Sequence, residues 1–161
     1  MCESHDTKSR RHRPPRLTKL SSGVRPFYFV TFNTHRRADL LAHAAVHETF
    51  RQFCAKAQAY GVSVGRYVIM PDHVHLFVVF QPEGLTLARW MQSLKNGLGK
   101  TLLRLGYDKP HWQEGFFDHV LRSDESYGQK WEYVGQNPVR AGLAKSPEEW
   151  PYQGEIEQIR Y

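Results

Sequence analysis

The sequence predicts an α+β domain, with a ferredoxin-like β-α-β-β-α-β antiparallel sheet followed by a trailing helix. Apolar, β-branched and aromatic runs that are typical of strands cover residues 26–33, 62–70 and 73–80. Apolar residues recur at helical spacing over 41–60 and 86–105. A strand, a helix, a hairpin and a second helix in this order are the first five elements of the split β-α-β arrangement.

Glycines mark the ends of the first two helices. The helix over 41–60 stops at Gly61, and the helix over 86–105 stops at Gly106. Glycine adopts the left-handed conformation that commonly ends a helix, so both positions are natural stops.

The remaining elements complete the sheet and add the trailing helix. Met70, Pro71 and Asp72 form a turn that makes the second and third strands an antiparallel hairpin. Residues 115–122 form the predicted fourth strand, and a third helix begins at 123–124.

The chain divides into a basic tail, one domain and an arm. Residues 1–25 carry seven lysines and arginines against two acidic residues, which is +5 of the total net charge of +6. We expect this tail to be flexible and to attract phosphates without reading their sequence. Residues 26–143 form the single predicted domain, and 144–161 form an arm that packs Trp150 and other aromatic residues on it.

Composition also favours a cytoplasmic protein with no membrane partner. The sequence has no stretch of 18 apolar residues and no apolar segment like that of a signal peptide. Its two cysteines, Cys2 and Cys54, do not form a disulfide framework, which suits a reducing compartment.

Two histidines in the third strand are the first candidate for chemistry. Side chains alternate along a strand, so His73 and His75 point to the same side, with Cα atoms roughly 7 Å apart. Two imidazoles at this spacing can share one divalent cation if further ligands come from elsewhere. The alternative, a chance pair at the edge of a sheet, stays open from this triplet alone.

The third helix supplies the second candidate. Tyr127, Trp131 and Val134 share a narrow arc that should face the core, whereas Tyr133 and Asn137 lie on a separate arc and are neighbours four residues apart. A tyrosine that attacks a phosphodiester conserves the bond energy in a phosphotyrosine ester, and a later hydroxyl can reverse the step. A divalent cation would neutralise the phosphate oxygens. The alternative is that Tyr133 is a partly exposed helix residue without a role.

These motifs resemble those of a known family. The chain has a His-Val-His strand preceded by Met-Pro-Asp, the run His-Trp-Gln-Glu-Gly-Phe-Phe-Asp-His-Val-Leu-Arg over 111–122, and Tyr-Val-Gly-Gln-Asn-Pro-Val-Arg-Ala-Gly-Leu over 133–143. In this order, and with Trp-Pro-Tyr over 150–152, they resemble the single-tyrosine HUH transposases. The nearest branch is the REP-associated tyrosine transposases.

The resemblance implies an activity and a set of site residues. His73 and His75 match the metal-binding histidines, Asn137 matches the position that completes the metal site, and Tyr133 matches the nucleophile that forms a 5′-phosphotyrosine and frees a 3′-hydroxyl. The implied cofactor is Mg²⁺ or Mn²⁺. The implied substrate is single-stranded DNA, often a hairpin from a repeated palindrome, and the implied assembly is a monomer or a homodimer associated with the nucleoid. One departure is Gly135 within the tyrosine helix, where it should cost about 1 kcal/mol.

Three lysines are further candidates for contacts with DNA. Lys95 and Lys100 lie on the second helix, and Lys130 lies one turn before Tyr133, where it could pair with the scissile phosphate. The alternative for Lys95 and Lys100 is that they simply lie on a solvent-exposed helix face without contacting DNA.

Two alternative functions remain at this stage. One is a nicking enzyme of the replication-initiator or relaxase type, which uses the same chemistry in a different process. The other is a ferredoxin-like nucleic-acid-binding module without catalysis, in which the histidines are structural. The absence of an added domain favours the transposase.

Overall fold

A five-stranded antiparallel sheet forms the centre of the fold. The structure, a computed structural model, describes residues 25–160, so nearly all of the predicted basic tail lies outside the described residues. The strands pair in the order β4-β1-β3-β2-β5. They are β1 (Phe27–Asn33), β2 (Val62–Ile69), β3 (His73–Phe80), β4 (Phe117–Val120) and β5 (Gln153–Glu155).

The first three helices follow the strands in the order that the sequence predicts, and a short fourth helix is added. They are α1 (Ala44–Ala55), α2 (Leu87–Arg104), α3 (Asp124–Gly135) and the short α4 (Asn137–Arg140), with 3-10 turns at His35–Arg37, Ala57–Tyr60 and Pro147–Glu149. The predicted α+β class with a helix after the fourth strand is confirmed. None of the helices within residues 25–160 is both long and apolar enough to cross a bilayer.

The first helix is shorter than predicted. It starts at Ala44, after His43, whose Nδ1 caps the helix by accepting from the Ala45 N–H group, and it ends at Ala55, before a 3-10 turn. Gly61, with a φ of 74°, ends that turn as expected.

Each face of the sheet packs against different helices. Val30, Leu76 and their neighbours pack on α1 and α2 through residues such as Phe50 and Leu94, all fully buried. Because neighbouring residues in a strand point to opposite sides, Phe29 and Phe77 belong to the other face.

A second apolar cluster covers this other face. It joins Phe29 and Phe77 to Val134 of α3, with Tyr127 and Trp131 packed against it. The prediction that these three helix residues face the core is therefore confirmed.

The last segment contains a strand that the sequence did not predict. Strand β5 pairs antiparallel with β2, through Tyr67 opposite Gly154. Just before it, the buried Trp150 donates from Nε1 to the Ile69 carbonyl at 2.9 Å. Trp150 thus packs on the body as expected, and the segment that follows extends the sheet.

Candidate active site

The two histidines of β3 lie on the sheet face that α3 covers. In the antiparallel register His75 is opposite Thr31 and His73 is opposite Asn33, both on β1. Directly paired residues share a face, so these side chains belong with Phe29 and Phe77, the residues that pack against α3. The two imidazole centroids are 4.7 Å apart. One cation can therefore be reached by both rings.

The imidazole of His75 is fixed at one nitrogen. Its Nδ1 lies 2.6 Å from Thr31 Oγ1, and its ring stacks on Phe29 with centroids 5.4 Å apart. Burial, together with the positive charges of Arg37, Lys130 and Arg140 and with His73, lowers the pKa of His75 to about 3. The ring is therefore neutral at physiological pH, which is the form that binds metals.

The imidazole of His73 is held by a carboxylate. Its Nδ1 lies 2.6 Å from Asp72 Oδ1, while Arg37 Nε donates to Asp72 Oδ2 at 2.7 Å. Burial lowers the pKa of His73 despite the opposing effect of Asp72. Burial would raise the pKa of Asp72, but the hydrogen bond from His73 and the charges of His73 and Arg37 hold it below its usual range.

Both histidines thus leave the same nitrogen free. Within the described chain, Nε2 of His73 and Nε2 of His75 have no hydrogen-bond partner, because Asp72 and Thr31 engage the two Nδ1 atoms. An acceptor on Nδ1, such as the Asp72 carboxylate beside His73, selects the tautomer that leaves Nε2 a lone pair for a metal, and the Thr31 hydroxyl can accept from His75 in the same way. The Asp72 and Thr31 contacts were not part of the sequence prediction, although Asp72 was visible in the Met-Pro-Asp turn.

A strained backbone positions Arg37. Arg36 and Arg37 have φ values of 52° and 58°, a region that residues other than glycine rarely occupy. This conformation brings the Arg37 guanidinium to Asn33 Oδ1 at 2.6 Å as well as to Asp72. No pattern in the sequence indicated that two arginines would adopt it.

Tyr133 and Asn137 lie on two helical segments rather than one. Helix α3 ends at Gly135, and α4 begins at Asn137, because Pro138 has no N–H group with which to continue the first helix. The sequence predicted a position in a helix interior for Gly135, where glycine is costly. This prediction was wrong, since Gly135 is the last residue of α3. The Tyr133 side chain is 65% exposed.

Arg140 connects the two segments. Its guanidinium lies 4.2 Å from the centre of the Tyr133 ring and donates to the Tyr133 carbonyl oxygen at 2.7 Å. It also donates to Asn137 Oδ1. Tyr133 and Asn137 therefore remain neighbours despite the break. Neither bonds to a histidine within residues 25–160, but Arg140 is close enough to act on the pKa of His75.

The three candidate lysines have different surroundings. Lys95 Nζ donates to the carbonyls of Gln113 and Gly115, and burial lowers its pKa. Lys95 and the exposed Lys100 belong to α2, on the sheet face opposite the histidines. Lys130 lies 5.2 Å above the Phe29 ring, beside His75. The structure thus brings only Lys130 of the three to the histidine face.

The imidazoles of His73 and His75 and the carboxamide of Asn137 are the candidate ligands for a divalent cation. Residues 25–160 contain no group of three His, Cys, Asp or Glu side chains that could hold a metal ion. Two free Nε2 atoms and the Asn137 carboxamide oxygen would make a mixed nitrogen and oxygen set, which Mn²⁺ accepts and which is less suited to Mg²⁺. The chemistry of these donors therefore fits such a cation, and Asn137 would have to turn its oxygen away from Arg140 to contribute.

Comparisons with known proteins identify relatives. The sequence model of the family described as "Transposase IS200 like" matches residues 27–134, about two thirds of the chain. A REP-associated tyrosine transposase of Escherichia coli (strain K12) is 29% identical over 91 residues, which are 55% of this chain and 52% of that protein. The match thus spans about half the length of that relative.

Two further matches cover more of the chain. A Haemophilus influenzae relative is 23% identical over 136 residues, which are 78% of this chain and 77% of its own length. A solved structure of a REP-associated tyrosine transposase bound to a REP hairpin superposes with a TM-score of 0.61 at 19% identity, over 83% of this chain and 88% of that one. At this identity the superposition supports the fold, and the predicted family resemblance is confirmed by the sequence matches.

Proposed function

Since the chain belongs to the IS200-like transposase family, we propose that it is a DNA strand transferase that uses Tyr133 as its nucleophile. Its proposed substrate is single-stranded DNA bearing a hairpin of a repeated palindrome. The relatives named above support the substrate class, since one of them is described as bound to such a hairpin.

One observation carries the proposal. The histidine pair and the helix that bears Tyr133 lie on the same face of the sheet, and Lys130 and Arg140 are close enough to lower the pKa of His75. This face therefore concentrates positive charge around two metal-competent imidazoles. A phosphodiester is the complementary group, because it is anionic and its oxygens bind both cations and guanidinium groups.

His73, His75 and Asn137 are the residues that would hold a divalent cation. When bound, such a cation would polarise the non-bridging phosphate oxygens. The protein's own contribution is orientation: Thr31 and Asp72 hold the two rings at Nδ1, with ring centroids 4.7 Å apart, which leaves both Nε2 atoms without a contact in the described chain. The mixed donor set favours Mn²⁺ over Mg²⁺, in line with the softer character of imidazole.

The proposed reaction is a transesterification. Tyr133 Oη attacks the phosphorus and loses its proton to solvent, the new Oη–P bond forms, and the bond from phosphorus to the 3′-oxygen breaks. The departing 3′-oxygen takes up a proton and becomes a free hydroxyl, while the 5′-phosphate stays on the tyrosine. Attack by another 3′-hydroxyl reverses the step and joins a new strand without an external energy source. The exposure of Tyr133 leaves its ring accessible to DNA.

The test is the capture of the covalent adduct. The full chain is incubated with Mn²⁺ and labelled hairpin oligonucleotides copied from the DNA that flanks the gene, and adducts are counted after denaturation. We expect Tyr133→Phe to abolish the adduct, and Tyr60→Phe, which changes another tyrosine of 65% exposure, to retain it.

The remaining outcomes discriminate between the alternatives. An adduct that persists in Tyr133→Phe would reject this nucleophile. DNA binding without an adduct on any hairpin or single-stranded substrate would favour the non-catalytic binding module.

A further inference from the structure

Arg140 contacts both Tyr133, the proposed nucleophile, and Asn137, the proposed cation ligand. Its guanidinium lies over the Tyr133 ring, bonds to the Tyr133 carbonyl oxygen and donates to Asn137 Oδ1. A guanidinium presents several donors in a fixed plane, so one side chain can make these contacts at once.

We infer that Arg140 is a positioning residue that competes with the divalent cation for the Asn137 carboxamide oxygen. The inference rests on the proposed function, since it takes Asn137 as a cation ligand. In the arrangement seen here Arg140 engages that oxygen, so His73 and His75 would be the remaining protein ligands for a cation until the guanidinium leaves.

The competition follows from the chemistry of the carboxamide. Asn137 has one oxygen that can bind a cation, because its Nδ2 is a hydrogen-bond donor. A divalent cation and a guanidinium on the same oxygen would lie within a few ångströms of each other, where like charges repel. The cation and Arg140 therefore cannot both engage Asn137 favourably.

Release of Arg140 would also change the surroundings of the nucleophile. The same guanidinium lies over one face of the exposed Tyr133 ring, so its departure frees that face together with Asn137. The phosphate backbone of DNA is a strong competitor for a guanidinium, through paired charge-assisted hydrogen bonds. DNA binding is thereby expected to raise the affinity for the cation, and by linkage the cation raises the affinity for DNA to the same extent.

The experiment measures Mn²⁺ affinity of the full chain without DNA, by electron paramagnetic resonance of the free ion. We expect Arg140→Ala to bind Mn²⁺ about tenfold more tightly than the unaltered chain, a gain of about 1.4 kcal/mol. In an Asn137→Ala background the same substitution should change the affinity by less than twofold. Arg140→Lys, which keeps the charge but lacks the planar fork, should give a smaller gain.

A matched control removes another guanidinium. Arg104 lies on α2, where it donates to Thr101 at 2.8 Å on the other side of the sheet. Arg104→Ala is expected to leave Mn²⁺ affinity unchanged, which shows that a lower net charge of the chain does not itself produce the gain, while the Asn137→Ala background controls for the local charge of Arg140. Thermal unfolding of each variant verifies that it is folded.

The outcomes separate this inference from the proposed function. Affinity that is unchanged or weaker in Arg140→Ala, or an equal gain in the Asn137→Ala background, overturns the competition while the histidine site stands. If His75→Ala binds Mn²⁺ as well as the unaltered chain does, the metal site itself is wrong and the inference fails with it.

Discussion

Replacement of Thr31 by valine tests whether the hydrogen bond to His75 prepares that imidazole for a metal. Thr31 Oγ1 lies 2.6 Å from His75 Nδ1. When Nε2 binds a cation, Nδ1 must carry the ring proton, so Nδ1 donates and the hydroxyl accepts. Valine keeps the shape and β-branching of threonine but removes the acceptor, and the tautomer with its proton on Nε2 then becomes competitive.

The expected magnitude follows from the lost contact. A donor that loses its only partner in a half-buried site costs about 1–3 kcal/mol. Loss of a group that orients a metal ligand typically lowers metal affinity by about 10–100-fold. We therefore expect the dissociation constant for Mn²⁺ to rise by at least about tenfold in Thr31→Val. The melting temperature should fall by less than that cost alone implies, because the higher strand propensity of valine offsets part of it.

Calorimetric titration with Mn²⁺ measures the effect, and Thr31→Ser is its matched control. Serine retains the hydroxyl, so its affinity should remain within about threefold of the unaltered chain. A Thr31→Val protein that is folded and binds Mn²⁺ as tightly as the serine variant would refute the argument. In that case the Thr31 contact would be incidental to the site.

Three further predictions follow from the same contacts. Mn²⁺ affinity should stay level as the pH falls to the ordinary imidazole value of about 6.5 and decline only below it, because the pKa of His73 is lowered and that of His75 is about 3; titrations at stepped pH measure this. Lys95→Met should lower the melting temperature and leave DNA affinity within twofold, whereas Lys130→Met should weaken single-stranded DNA binding severalfold, as measured by fluorescence anisotropy. Trp150→Phe should cost about 1–3 kcal/mol in urea unfolding, since the buried Ile69 carbonyl loses its indole donor.

Local patterns were sufficient to predict most of the fold. The alternation in β3 and the glycine at position 61 correspond to features of the structure. Strand β5 was missed because its three residues, Gln153–Glu155, carry no apolar alternation and pair only through the edge of β2. Its formation depends on where the chain arrives after Trp150, which is a tertiary effect.

The sequence predicted only those parts of the candidate site that depend on residues close together in the chain. His73 and His75 share a face because strand geometry requires it, and α3 packs on that face through residues whose spacing was readable. The contact from Thr31 depends on the register between β1 and β3, and the Arg37 contact depends on a left-handed backbone. Neither can be read from neighbours along the chain.

The Asn-Pro-Val-Arg run illustrates how a motif recognised by resemblance can be explained physically. Helix α3 stops before Pro138, which leaves the last carbonyl groups of that helix without their usual helical donors. Arg140 supplies one of those donors, since its guanidinium bonds to the Tyr133 carbonyl oxygen. The proline therefore creates the break, and the arginine both caps the broken end and reaches Asn137. A side chain in this position controls the geometry between Tyr133 and Asn137, which a continuous helix would have fixed by its backbone alone.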